Sequence, residues 1–376
     1  MHIGFQLLSL KPGHIGGQEV YVRRLIRCLL PMLADDRLIL FLRPEAADDE
    51  EFRQFADHTG VETVVANPEP HYGPQYADWN LRLLDAARLD VVCFPLSFFF
   101  PRPLPIPVVL HVPDLQHEFF PEYFPPEQLA WRRERIPASI NLAEATVTYT
   151  QFSARTMVEK LDADEKRLHV ISAGGFSPQD LETAAVQDGF GPHDQPFAFY
   201  PAADWPHKNH ETLLHAIAKL KQRGDDLRLV LCGMLTQRGE ALKCLANDLN
   251  INDRVSFLGR LLQSELIGLY KFARVMAFPS RFEGFGLPLV EAMQLGCPIV
   301  ASRAEAVRET ASDAALYCDD QPEAWAAALS QVAGDPQVAD DLRHRGLQRA
   351  ADFNWPTAAQ KNLALLRNTA RTRSTT

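Results

Sequence analysis

Short apolar runs alternate with longer amphipathic stretches along almost the whole chain, and no other feature restricts its fold so strongly. "HIGFQLL", "RLILFL", "VETVVA", "DVVCFPL", "PVVLHV", "ATVTYT" and "RLHVIS" read as strands, with helical patterns such as "EVYVRRLIRCLLPML" and "ADWNLRLLDAARL" between them. That rhythm is the signature of a parallel sheet with helices on its faces. It breaks at "SPQDLETAAVQDGFGPHDQP", a polar stretch rich in Gly and Pro, which places a domain boundary near 185 to 195. It then restarts: "FAFYPA", "RLVLCG", "RVSFLG", "RVMAFPS", "CPIVAS" and "ALYCDD" are strands, and "NHETLLHAIAKLKQRG", "GEALKCLANDLN", "LQSELIGLYKFA" and "LPLVEAMQLG" are helices. The expected architecture is α/β: two tandem Rossmann-like, doubly wound domains, 1–190 and 191–355, facing across a cleft. In such sheets ligands bind beyond the carboxyl ends of the strands. A length of 376 residues suits two cores better than one.

Composition narrows the classes of function. The chain is 46% hydrophobic and 23% charged, as a globular protein is. Residues 1–190 carry 17 Lys+Arg against 27 Asp+Glu, so the entire net charge of −10 falls there and the remainder holds 21 of each. An acidic first half argues against nucleic acid as the main partner. The basic clusters "YVRRLIR" and "WRRER" read as solvated helix faces. Six scattered cysteines form no CxxC pair, and several lie in apolar runs, so they read as reduced thiols of a cytoplasmic protein rather than a metal site. No run is long enough for a membrane span and no leader is evident.

One stretch carries chemistry. "RFEGFGLPLVEAMQLGCPIVAS", Arg281 to Ser302, follows the strand "ARVMAFPS" with a glycine-rich turn and a helix. Pro288 suits the first helical position, where its missing N–H costs nothing. Gly284 and Gly286 would let a ligand approach the backbone, while the helix start offers N–H groups and the positive end of its dipole to an anion such as phosphate. Glu283 precedes the turn, and Glu291 is expected in the first turn of the helix. An ionised carboxylate only accepts hydrogen bonds, so each suits a pair of hydroxyls. Phosphate between two hydroxyl binders describes a nucleotide sugar. A first-turn glutamate beside a glycine-rich turn is also common for dipole reasons alone.

"PSRFEGFGLPLVEAMQLGCPIVASRAEAVRETASDAALY" resembles the signature region of the retaining family 4 glycosyltransferases, whose architecture, GT-B, has two facing Rossmann-like domains. Their Glu, seven residues, Glu pattern is filled by Glu283 and Glu291. "FAFYPAADWPHKNHETLLHAI" and "DFNWPTAAQKNLALLR" extend the resemblance, and "HIGGQEVYVRRL" and "VVLHVPDLQHEFFPEYF" match more loosely. The resemblance implies that Glu283 contacts hydroxyls of the transferred sugar and that Glu291 binds the ribose. It implies that backbone around Phe285, Gly286 and Leu287 holds sugar and diphosphate, and that Lys208 neutralises the diphosphate. Gly16 and Gly17 match the glycine pair that approaches the phosphates and acceptor. Many relatives place an arginine near the position of Ala203. Either Arg260 or Arg238 substitutes for it, or Lys208 works alone. Many relatives also line the sugar site with a histidine, for which His111 is the first choice and His117 the second.

The expected reaction is transfer of a hexose, mannose or glucose class, from a UDP- or GDP-sugar to a glycan or lipid-linked acceptor, without metal or other cofactor. Phe98, Phe99 and Phe100 could form an apolar acceptor platform, though a buried strand end with a Pro-rich loop is the favoured reading. The family's final helix, here 356–376, commonly crosses back to the first domain. Peripheral association with the inner membrane surface would serve a lipid-linked acceptor. The alternatives are an epimerase or phosphorylase on the same architecture, or a nucleotide-sugar sensor without activity.

Overall fold

The structure, a computed structural model, describes residues 1–71, 76–99, 103–185 and 195–373. Its chain divides into two compact units, Met1–Ala173 with Trp355–Thr376, and Gly174–Asn354.

The first unit holds a seven-stranded sheet: β1 His2–Gln6, β2 Arg37–Leu42, β3 Val61–Val65, β4 Val91–Phe94, β5 Val108–His111, β6 Ala145–Thr148 and β7 Leu168–Val170. Their order is β3-β2-β1-β4-β5-β6-β7, and every pairing is parallel. Each apolar run became a strand because a sheet covered on both faces needs near-continuous hydrophobic residues rather than alternation. β4, β5 and β6 are buried along their whole length, whereas edge strand β3 leaves Glu62 and Thr63 exposed.

The second unit holds a six-stranded sheet: β8 Phe197–Pro201, β9 Arg228–Cys232, β10 Val255–Phe257, β11 Val275–Phe278, β12 Ile299–Ser302 and β13 Ala315–Cys318. The order is β10-β9-β8-β11-β12-β13, again all parallel. Strand order reverses between β1 and β4 in one sheet and between β8 and β11 in the other. At such a reversal the two chains leaving the strands turn to opposite faces and open a crevice, which is where doubly wound sheets place ligands.

The division falls between Ala173 and Gly174, before the expected 185 to 195. Helix Pro178–Ala185 belongs to the second unit, and just ahead of it the Gln294 amide grips the Phe176 backbone twice, accepting from its N–H at 2.7 Å and donating to its carbonyl at 3.0 Å. Composition marks where the chain is polar, not where its packing partners change. Residues 186–194 of the polar stretch lie outside the described residues.

The last helix, Trp355–Arg373, packs in the first unit. Trp355 meets Tyr21 edge-on at 5.3 Å, Asn362 donates to the Tyr21 hydroxyl at 3.4 Å, and Arg367 donates to Asp36 at 2.8 Å.

The cluster at 21–27 departs from a solvated face, whereas in the cluster at 131–135 Trp131, Arg133 and Glu134 are exposed. Arg23, 14% exposed, binds Asp49 at 2.7 Å, Glu19 at 2.8 Å and Glu51 at 3.1 Å, while Arg24 is buried. Arg132 lies 4.9 Å over the Phe124 ring and Arg133 pairs with Glu118 at 2.9 Å. Four of the six free cysteines, Cys93, Cys232, Cys297 and Cys318, are buried, Cys28 is half-buried and Cys244 is exposed.

Candidate active site

β8 leads through Ala202–Trp205 into a single tight turn, Pro206–Lys208, and Asn209 then takes a left-handed conformation, φ 57°, before helix His210–Gln222. β11 leads through Pro279–Gly286 into helix Leu287–Gln294. Because β8 and β11 are neighbours, these two loops emerge side by side at the reversal of strand order.

Several bonds stitch them together. Arg281 N–H donates to the His207 carbonyl at 2.8 Å. The buried Tyr200 hydroxyl donates to the Lys208 carbonyl at 3.0 Å and lies 3.0 Å from Ser280 Oγ. Asp320, beyond the end of β13, accepts from Asn209 Nδ2 at 2.7 Å and Thr212 Oγ1 at 3.2 Å through one oxygen, and from Arg281 Nε at 2.7 Å through the other. The result is that Lys208 Nζ meets Glu283 Oε1 at 2.6 Å, with the two side chains 18% and 11% exposed. An ammonium has three donors and a carboxylate about four acceptor sites, so each retains capacity for a ligand.

Gly286 precedes the helix with φ 89°, a conformation that favours glycine, and a Cβ there would stand 2.9 Å from Leu289 Cδ1. Phe285 is buried against Phe353 at 5.5 Å, and its carbonyl accepts from Thr310 Oγ1 at 2.7 Å. Leu287, not Pro288, opens the helix, so Glu291 lies in its second turn and not in the expected first. The residue is 6% exposed, and its carboxylate accepts from the Tyr270 hydroxyl at 3.0 Å. A buried carboxylate requires such a donor, and dipole compensation is not what holds it.

The two candidate substitute cations make contacts of their own. Arg238 forms an ion pair with Glu211, joining the first turns of two helices. Arg260 follows β10, two strands from β8, where its guanidinium approaches Met234 Sδ at 3.3 Å.

In the first unit, Gly16, φ 66°, caps helix Gly17–Leu29, and neither Gly16 nor Gly17 has an atom within 4 Å of where a Cβ would stand. Gln18 donates to Ser97 Oγ at 2.7 Å, tying the loops that follow β1 and β4. His111 and His117, expected to line a cleft, are each 1% exposed. His111 meets Tyr21 edge-on at 5.6 Å, and burial pushes its pKa down to about 3. Burial, opposed in part by Glu118, takes His117 down to about 4. Phe99 is core, packed against Phe94 at 5.1 Å, and half-buried Phe98 sits edge-on to the exposed Trp131 at 4.6 Å. Phe100 lies outside the described residues.

Sequence reasoning missed Tyr200, Tyr270, Thr310 and Asp320. The tyrosines occupy apolar runs that read as core, and Asp320 sits in a turn where acidic residues are ordinary.

The fold is that of the GT-B proteins. A crystal structure of Anabaena HepE in complex with UDP and glucose superposes with a TM-score of 0.73 at 20% identity, covering 98% of this chain and 100% of that one. Residues 184–349 match the family model described as Glycosyl transferases group 1, and residues 15–174 match that described as Glycosyltransferase Family 4. The chain belongs to the family 4 glycosyltransferases. It is 32% identical over 234 residues to the D-inositol 3-phosphate glycosyltransferase of Nocardia farcinica, across 58% of this chain and 51% of that protein. It is also 32% identical over 224 residues to the MMP alpha-(1->4)-mannosyltransferase of Mycolicibacterium hassiacum, across 58% and 53%. The chain thus spans about half the length of these relatives.

Proposed function

We propose that the chain is a retaining glycosyltransferase that moves a hexose, of the mannose or glucose class, from a UDP- or GDP-sugar to a glycan or lipid-linked acceptor in polysaccharide or glycoconjugate synthesis. The observation that carries this reading is the Lys208–Glu283 contact at the β8/β11 reversal. A cation and a carboxylate, placed side by side where such sheets bind ligands, match a donor that presents diphosphate next to sugar hydroxyls.

In this reading Lys208 takes the diphosphate, Glu283 the hydroxyls of the transferred sugar, and Glu291 the ribose. Backbone at Gly284, Phe285, Gly286 and Leu287 supports the sugar and phosphates. Gly16 and Gly17 offer an open helix start for the phosphate and acceptor side. Departure of the nucleoside diphosphate builds negative charge that a fixed ammonium stabilises. Lys208 thereby does the work of a metal, and the reaction is proposed to need none. Retention is proposed to follow front-face attack: the acceptor oxygen bonds to the anomeric carbon as the bond to phosphate breaks, and the departing phosphate oxygen takes the acceptor's proton. Glu283, already engaged by Lys208, is a hydroxyl ligand here rather than a nucleophile.

Among the described residues no helix is long and apolar enough to cross a membrane. The proposed setting is the cytoplasm, with peripheral contact at the inner membrane surface for a lipid-linked acceptor.

Incubation with UDP- and GDP-sugars tests the reading. Slow release of nucleoside diphosphate with net retention is expected. Formation of a 2-epimer would establish an epimerase instead, sugar 1-phosphate formed with added phosphate a phosphorylase, and tight binding without turnover a sensor.

A further inference from the structure

We propose that Tyr270 is a positioning residue for the donor nucleotide, fixing the Glu291 carboxylate in the orientation that receives the ribose hydroxyls. This rests on the reading of Glu291 as the ribose ligand.

Tyr270 belongs to helix Gln263–Phe272 and its ring is fully buried. Phe199 of β8 meets it edge-on at 5.1 Å and 88°, and Phe176 at 6.0 Å and 72°. Edge-to-face contacts of this kind hold a ring in one plane. The hydroxyl is delivered to Glu291 Oε2 at 3.0 Å, with the Pro288 carbonyl at 3.3 Å. A phenol has one proton to give, and the carboxylate is the stronger acceptor. Burial, with Glu291 adding to it, raises the titration of the phenol well above 10, so the donor persists at every working pH.

The carboxylate needs this partner for a geometric reason. The terminal torsion of a glutamate is broad, so backbone placement on helix Leu287–Gln294 fixes where the group is but not which way its oxygens face. Two adjacent hydroxyls of a ribose require a defined carboxylate plane. The bond to Oε2 supplies that plane and occupies only one of about four acceptor sites.

A hydroxyl that only satisfied a buried group would affect all nucleotide binding alike. Positioning predicts an effect confined to the ribose. Calorimetric titration would use whichever of UDP and GDP the parent binds more tightly, together with its 2′,3′-dideoxy counterpart, against the parent, Tyr270→Phe and Glu291→Gln. Tyr270→Phe is expected to weaken the ribonucleotide about five- to tenfold, the size of one ordinary net hydrogen bond, and the dideoxynucleotide less than twofold. Donor KM should rise by the same factor while kcat stays within twofold. Equal weakening of both ligands, or no weakening, overturns the role of Tyr270. Glu291→Gln should also lose the ribonucleotide selectively. If it binds both ligands as the parent does, the ribose reading itself fails and the proposal with it. Selective loss in Glu291→Gln but not in Tyr270→Phe overturns Tyr270 alone.

Discussion

Lys208 Nζ stands 2.6 Å from Glu283 Oε1 although 75 residues separate them, because each leaves one of two neighbouring strands and the loops are bonded to each other. Charge alone would not hold them so. A part-buried pair of this kind adds little net stability, yet removing one partner strands the other, at a cost of about 3–5 kcal/mol when fully buried and less here. Lys208→Ala is expected to weaken nucleoside diphosphate binding at least tenfold, measured by calorimetry. Unchanged affinity would remove Lys208 from the diphosphate.

Asp320 clamps the same pair from a distance. Asp320→Ala removes acceptors for Asn209, Thr212 and Arg281. It should lower unfolding stability by about 1–3 kcal/mol and reduce nucleotide affinity without any contact to the ligand. Urea unfolding and titration on the same variant check both.

Gly286→Ala places a side chain at φ 89°, with its Cβ 2.9 Å from Leu289 Cδ1. A left-handed conformation costs a non-glycine residue about 1–2 kcal/mol before any clash. Its urea midpoint should fall accordingly, and turnover should fall with it because the turn carries Phe285 and Leu287.

Acid should weaken the first unit through His111. Burial holds its pKa near 3 against an ordinary 6.5, so the unfolded chain binds the proton more readily. The stabilisation is complete above about pH 6.5 and is lost progressively as pH falls towards 3. At pH 5 the loss is about 2 kcal/mol. Urea unfolding at pH 7.5 and pH 5 should show this loss in the parent and a smaller one in His111→Phe.

The strands were legible because sheets covered on both faces need long apolar runs, as "VVCF" and "VMAF" show. The same covering hid that His111 is buried, since no alternation marks a solvent face. Lys208, Glu283 and Glu291 stood out by spacing and by resemblance. Their contacts did not: Tyr270 and Asp320 come from elements remote in sequence. Nor was the pairing of Arg238 with Glu211, 27 residues away, legible from the sequence. The helix start was off by one residue, Leu287 rather than Pro288 behind the Gly286 cap, and that shift carries Glu291 out of the first turn.

The central claim is transfer with retention at the Lys208–Glu283 site. Proton NMR of the chain incubated with UDP- and GDP-sugars would follow the first sugar released, before mutarotation, in the parent and in Glu283→Ala. The account predicts release with the donor's own anomeric configuration in the parent, and loss of turnover in Glu283→Ala with nucleoside diphosphate affinity largely kept. An inverted anomer, or full turnover in Glu283→Ala, would contradict it.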